Sequence, residues 1–311
     1  AFEVAFLDAA GKSIGRPVYD LLGGAVRKRI PFSAYLFYKF GKHRFLDDGW
    51  MDPWGEALTP EQIVEQARRM VDGYGFGSIK LKGGVFEPEA EIEAVRALRA
   101  AFPKTPLRID PNAAWTVETT KKLLPELEPL LEYLEDPVPG IPGMAAVQGT
   151  ASIPLATNMC VIRFDDVPPA VAQGAVKVVL SDHHYWGGLR ATLELAAMCR
   201  VWNLGLSMHS NSHLGISLMA MCHAAAAAGN LTYACDTHYP WQEEEVLIGG
   251  RIAFRDGAVE MSDRPGLGVE LDHGAVAELA ENYRKCGIRV RDDTAEMRRY
   301  DPQWTGKTPR F

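Results

Sequence analysis

Basic residues are in deficit: 33 Lys and Arg stand against 40 Asp and Glu, a formal net charge of −7. A nucleic-acid partner is not expected, because phosphate binding needs a basic face. An acidic small molecule stays open, since local charge can oppose net charge. Long apolar runs are lacking too. The longest weakly polar stretch, Gly215–Gly229, contains His223 and falls short of the ~20 residues that span a membrane. The five cysteines (Cys160, Cys199, Cys222, Cys235, Cys286) are odd in number, widely spaced and free of any Cys-x-x-Cys pair. That excludes a disulfide framework and the usual zinc spacing, and it predicts reduced core thiols in a cytoplasmic protein. No glycine-rich phosphate turn follows the first strand, which argues against a doubly wound dinucleotide fold. No secretory leader is expected. The chain opens without Met, directly on a predicted helix at Phe2–Ala10, and reads as one whose first part lies outside this numbering.

What is present is an alternation. A short β-branched or apolar run ends in polar residues, and an amphipathic helical stretch follows. The runs are Pro31–Phe37, Ser78–Lys82, Leu107–Asp110, Tyr133–Asp136, Pro154–Thr157, Val176–Leu180, Leu206–Met208 and Leu231–Cys235. Thr59-Pro60-Glu61 opens one helix, with Thr59 as N-cap and Pro60 in the first turn. Ile92, Val95 and Leu98 mark the face of another. Strand–helix alternation predicts a parallel sheet, and eight strands predict a closed barrel. The expected α/β class is therefore a (β/α)7–8 TIM-like barrel. Residues 31–238 form the catalytic barrel, 1–30 a linker helix and remnant of a preceding domain, and 239–311 a C-terminal extension with one helix, Gly274–Cys286.

The chemistry sits where the strands end. Lys80 and Lys82 close the second run, Asp110 the third, Glu135 the fourth, Asn158 follows the fifth, Asp182 the sixth and His209 the seventh. From Lys82 onward the spacings are 28, 25, 23, 24 and 27 residues, each about one strand–helix unit. In a barrel all C-terminal strand ends share one rim, where barrel active sites lie. Taken singly, each residue is an ordinary turn, helix cap or solvated strand end. The registered series is what points to a site.

Asp110, Glu135 and Asn158 offer hard oxygen ligands on three adjacent strands, the set that suits Mg²⁺ rather than zinc. Lys80 and Lys82, two apart on one strand, share its inner face. A second cation beside an ammonium disfavours the charged form, and a lysine acting as base must be the neutral amine. On the other side stands His209, with Asp182 one strand earlier, and a carboxylate beside an imidazole fixes its tautomer. A metal between two bases suits removal of a proton α to a carboxylate, with the cation stabilising the resulting enediolate. His183, His184 and His213 are read as structural histidines.

At these residues the chain resembles the enolase superfamily and, within it, the glucarate dehydratase group. The resemblance rests on Ile79-Lys80-Leu81-Lys82-Gly83-Gly84, Asp110-Pro111-Asn112-Ala113-Ala114-Trp115, Ala156-Thr157-Asn158-Met159, His209-Ser210-Asn211-Ser212-His213 and Asp236-Thr237-His238, with Tyr35-Leu36-Phe37-Tyr38 and Arg291-Asp292-Asp293. It implies that Asp110, Glu135 and Asn158 bind Mg²⁺. Lys82 would be one base, tuned by Lys80, which also touches the substrate carboxylate. His209, paired to Asp182, would be the opposed base and the acid that expels hydroxide. Tyr35, Phe37, Asn112, Asn158, Ser210, Asn211, His238 and Arg291 would line an acid-sugar pocket. Arg291 would take the second carboxylate, which its planar fork suits. It also implies an α+β capping domain ahead of the barrel, of which only the last helices fall within residues 1–24, with the C-terminal extension packing back on it.

The expected activity is Mg²⁺-dependent dehydration of an acid sugar, D-glucarate and L-idarate to 5-keto-4-deoxy-D-glucarate, by a homo-oligomer. A racemase or epimerase using the same two bases is the alternative within enzymes. A catalytically silent homologue that stabilises an active dehydratase is the alternative outside them.

Overall fold

The computed structural model describes residues 1–45 and 47–311. Its strands are β1 (Arg29–Pro31), β2 (Ala34–Phe37), β3 (Ile79–Lys82), β4 (Leu107–Asp110), β5 (Tyr133–Glu135), β6 (Leu155–Thr157), β7 (Val178–Ser181), β8 (Gly205–Met208) and β9 (Ala258–Glu260). Its α-helices are α1 (Phe2–Ile14), α2 (Val18–Leu21), α3 (Pro60–Tyr74), α4 (Pro88–Ala101), α5 (Val117–Leu127), α6 (Gly140–Gln148), α7 (Val167–Gln173), α8 (His183–Trp186), α9 (Leu189–Val201), α10 (Gly215–Ala227), α11 (His273–Cys286) and α12 (Asp293–Met297).

Strands β2 to β8 form one curled, all-parallel, seven-stranded sheet in sequence order. The register sets Phe37 beside Lys82 and Lys82 beside Asp110, so the strand ends align on one rim. Side chains alternate along each strand. In β3, Ile79 and Leu81 are buried in the main apolar core, while Lys80 and Lys82 take the inner face. Helix α3 starts as its sequence requires: the Thr59 hydroxyl accepts from the Gln62 amide at 3.4 Å, and Gln62 Oε1 accepts from the Thr59 amide at 3.0 Å, a capping box. None of the helices is long and apolar enough to cross a membrane among the described residues.

Two expected strands are corrected. Pro31–Phe37 is not continuous. Arg29–Pro31 pairs antiparallel with β9 in the C-terminal extension, and the barrel strand begins only at Ala34. The backbone changes partner in between: the Phe32 amide donates to Gly257 O at 2.8 Å, and the Ser33 amide donates to Cys235 O at 2.9 Å. Leu231–Cys235 is no regular strand either, yet it does an eighth strand's work. The Thr232 amide donates to Leu206 O (3.0 Å), Asp236 to Met208 O (2.9 Å) and Cys235 to Pro31 O (2.8 Å), so the segment ties β8 to the entry of β2. The extension is also more structured than one helix, adding β9 and α12 to α11.

Candidate active site

The rim is built on a turn that only unusual backbone allows. Asn112, Ala113 and Asp136 sit at positive φ (55°, 59° and 36°), sparsely populated values for residues with a Cβ that cluster at functional sites. Gly84, at φ 74°, lies so close to this turn that a Cβ there would be 2.1 Å from Pro111 O. The Lys82-Gly83-Gly84 loop and the Asp110-Pro111-Asn112 turn are thereby held together. Buried Glu91 secures the same loop by accepting from the Gly84, Val85 and Phe86 amides at 2.8–3.0 Å.

The carboxylates and lysines predicted from the strand ends do meet. Lys80 is wholly buried, with its ammonium 2.6 Å from Glu135 Oε2, 2.7 Å from Asp236 Oδ2 and 3.7 Å from Asp110 Oδ2. Lys82, partly exposed, donates to Asp110 Oδ2 and to Asn112 Oδ1, each at 2.6 Å. Tyr35 Oη donates to Asp110 Oδ2 at 3.3 Å. Burial works against the Asp110 carboxylate, but Lys82 and Lys80 hold it below its ordinary range. Glu135 goes the other way. Burial, and then repulsion from Asp110, Asp236 and Asp136, outweighs the attraction of Lys80 and pushes it well above the carboxylate range.

This geometry tests the oxygen-ligand set against a metal. Glu135 is fully buried; its Oε2 is ion-paired with Lys80 at 2.6 Å, and its Oε1 has no partner. Buried acceptors are satisfied as a rule, so Oε1 is poised for a cation. Asn158 is held on the neighbouring strand end by its amide, which donates to Asp136 Oδ2 at 2.8 Å, while Thr157 Oγ1 donates to Asp136 Oδ1 at 2.5 Å. The all-oxygen donor set of Asp110, Glu135 and Asn158 fits Mg²⁺.

Across the sheet, His209 Nδ1 lies 3.0 Å from Asp182 Oδ2. Asp182 is also 2.8 Å from His184 Nδ1 through Oδ1, and it accepts from the His184 amide at 2.9 Å. Burial raises Asp182, but the hydrogen bonds with His209 and His184 outweigh it and hold the carboxyl well below its usual range. Asn211 Nδ2 donates to Tyr185 Oη at 2.9 Å, Ser210 Oγ donates to Asn211 O at 2.6 Å, and Tyr185 stacks over His209 at 6.1 Å. His238 packs against Tyr35 (4.8 Å) and Phe37 (5.2 Å), and burial pushes its imidazole down to about 4. Burial likewise takes His183 to about 4 and His213 to about 3.

Two expectations are altered by the geometry. Arg291 is not brought to the cluster. It is an exposed residue between α11 and α12, and its guanidinium pairs with Asp293 instead. Lys80 presents no open face to a substrate carboxylate, because its ammonium is enclosed by Glu135, Asp236 and Asp110. Two participants went unassigned from sequence. Asp236 is the counter-ion of Lys80 and stands directly after the irregular eighth segment. Asp136 organises Asn158 and stands directly after Glu135, where a carboxylate neighbour was the available signal.

Residues 62–275 match the family model described as enolase C-terminal domain-like. The chain is 55% identical over 313 residues to a probable glucarate dehydratase of Streptomyces coelicolor, covering all of this chain and 72% of the relative. A solved enolase from Pseudomonas fluorescens with bound magnesium, potassium and tartrate superposes with a TM-score of 0.97 at 55% identity, over all of this chain and 73% of that one. An enolase from Mycobacterium smegmatis complexed with tartrate gives 0.96 at 61% identity, over 100% and 74%. With two thirds of its length inside the family model and a fold that superposes end to end, the chain belongs to the enolase superfamily.

Proposed function

We propose that the protein is an Mg²⁺-dependent acid-sugar dehydratase, a carbon–oxygen hydro-lyase. Its substrates are D-glucarate and its C5 epimer L-idarate, and its product is 5-keto-4-deoxy-D-glucarate. The observation that carries the reading is the buried carboxylate cluster with Glu135 Oε1 left without a partner, flanked by Lys82 on one side and by the His209–Asp182 pair on the other. The relative named as a probable glucarate dehydratase and the tartrate in two superposing enolases support the substrate class. Tartrate is itself a hydroxylated dicarboxylate.

Asp110, Glu135 and Asn158 would hold the metal, which when bound supplies positive charge against the charge that develops on the substrate carboxylate. Lys82 Nζ and His209 Nε2 each take the α-proton of one configuration. Asp182, bonded at Nδ1, keeps His209 Nε2 facing the mouth. The imidazolium of His209 then gives a proton to the departing β-hydroxyl. For one epimer it is the proton just taken from the α-carbon; where Lys82 is the base, His209 must hold it beforehand. Water leaves, and the resulting enol tautomerises so that the α-carbon becomes the keto centre. Tyr35, Phe37 and His238 form an apolar wall beside the reacting carbons. We also propose the division into linker (1–30), barrel (31–238) and extension (239–311), and a homo-oligomeric state.

The test is incubation with Mg²⁺ and a panel of hexarates, with keto-acid formation followed by semicarbazide trapping and configuration by NMR. Keto acid from D-glucarate and L-idarate is the expected result. Recovery of the starting composition with inverted configuration would instead make the protein an epimerase.

A further inference from the structure

We infer that the protein carries a second metal site, formed by His183, His184 and His213, that takes a Zn²⁺-class transition-metal ion and communicates with His209 through Asp182. His183 and His184 are neighbours on α8, with ring centroids 4.1 Å apart. Their Nε2 atoms converge on one hydroxyl, Ser217 Oγ of α10, at 3.2 and 3.0 Å. A hydroxyl can donate its one hydrogen to one ring nitrogen and accept from an N–H on the other, so the two rings share it.

The tautomer of His184 follows from its other contact. Its Nδ1 lies 2.8 Å from the Asp182 carboxylate, an acceptor only, so the ring hydrogen sits on Nδ1 and Nε2 presents a lone pair. This carboxylate–imidazole arrangement is how metal-ligating histidines are commonly oriented. One ligand atom each of Asp182, His183 and His184 lie within 4.8 Å of one another.

The independent observation is His213. Its side chain is buried, and neither ring nitrogen has a hydrogen-bond partner. Its ring lies 5.0 Å from that of His184 and 5.4 Å from that of His183. A buried imidazole with two idle nitrogens beside two others that already meet at one hydroxyl is a ligand set short of its ion. Three imidazoles with an open fourth position suit Zn²⁺, Co²⁺, Ni²⁺ or Cu²⁺, and do not suit Mg²⁺. His184 is 46% exposed and gives the ion a way in. The carboxylate that would orient the ligand His184 is the one that orients His209, so occupancy is felt there. That coupling rests on the proposed role of His209, whereas the site itself does not.

The experiment uses the full chain, stripped of transition metals and saturated with Mg²⁺. Co²⁺ is titrated and read by its visible absorption, and Zn²⁺ by competition with a chromogenic chelator. One equivalent should bind with the intense bands of four-coordinate Co²⁺ and resist excess Mg²⁺. His184→Ala, an exposed and structurally mild change, should weaken binding at least tenfold. So should His213→Ala, checked for an unchanged melting profile, while Ser217→Ala should bind at least as tightly as wild type. Only weak octahedral Co²⁺ bands, or wild-type affinity in His184→Ala, would overturn the site. Zn²⁺ should also lower turnover with the midpoint of its binding. Binding without inhibition would overturn the link to His209 alone, and since binding is read without turnover, it is independent of the dehydratase reading.

Discussion

Glu135→Gln separates the electrostatics of the cluster from its metal affinity. Around Lys80 and Lys82 stand the carboxyl groups of Asp110, Glu135 and Asp236, and burial and repulsion push that of Glu135 well above the carboxylate range. Glutamine keeps the size of the side chain without the charge that this crowding disfavours. Removing one partner of a buried ion pair is ordinarily costly, about 3–5 kcal/mol, because a charge is left uncompensated. Here Lys80 keeps Asp236 at 2.7 Å and Asp110 at 3.7 Å. The variant in chelator should therefore match wild type within about 1 kcal/mol or exceed it, since a carboxylate repelled by its neighbours has been neutralised.

Magnesium reverses the order. A ligand at about 100 times its Kd stabilises the folded state by about 2.7 kcal/mol. For a chain of this size that is roughly 4 °C in Tm. Wild type should gain that shift on moving from chelator to saturating Mg²⁺, and Glu135→Gln should lose most of it. Calorimetry on both proteins in both buffers makes the comparison. An equal Mg²⁺-induced shift in the variant would remove Glu135 from the metal site. A loss of about 3 kcal/mol or more in chelator would mean that the carboxylate is needed as the partner of Lys80, and the crowding argument would be wrong.

The two-base arrangement predicts a split by epimer. Lys82→Met should slow one of D-glucarate and L-idarate by about 10²-fold or more, the range expected for a general base, while the other keeps α-proton exchange, measured by deuterium uptake. His209→Asn should stop dehydration of both yet leave exchange for one, and equal loss of exchange from both would exclude Lys82 as a base. Asp182→Asn should slow both epimers together, because it frees the His209 ring to take the wrong tautomer. Acid stability is set in part by His223, whose Nδ1 accepts from the Tyr19 amide at 3.0 Å and whose Nε2 donates to Leu267 O at 3.1 Å. Burial pushes this imidazole down to about 4, so the folded state keeps it neutral while the unfolded chain is protonated below about 6.5. Its contribution is complete above that pH and is lost as pH falls from 6.5 towards 4. His223→Gln should be less stable than wild type at pH 7.5 but show a shallower decline in urea midpoint across that window, and an unchanged slope would exclude His223 as the titrating group.

What the sequence made legible follows from what a barrel repeats. Each strand–helix unit returns the chain to the same rim, so the spacing from Lys82 through Asp110, Glu135, Asn158 and Asp182 to His209 predicts convergence without any knowledge of side-chain packing. The pairs found in the structure confirm that logic for Lys82 with Asp110 and for His209 with Asp182. The parts that stayed hidden are those the repeat does not govern. Asp236 reaches Lys80 from the position directly after Leu231–Cys235, a segment that bridges two strands without regular pairing, so it has no strand register from which to be placed. The partnership of β1 with β9 joins residues more than two hundred positions apart through a switch at Phe32 and Ser33, and an apolar run gives no sign of where its backbone changes partner. The histidines beside the rim show the same limit most sharply. His183, His184 and His213 carry no periodicity and fall between the registered positions. Only the convergence of two rings on Ser217 Oγ, and the two idle nitrogens of His213, distinguish them from ordinary structural imidazoles. Register along a repeating fold therefore reveals ligands that lie on strands, whereas a site assembled from the turns between strands and helices becomes visible only when its hydrogen bonds are counted.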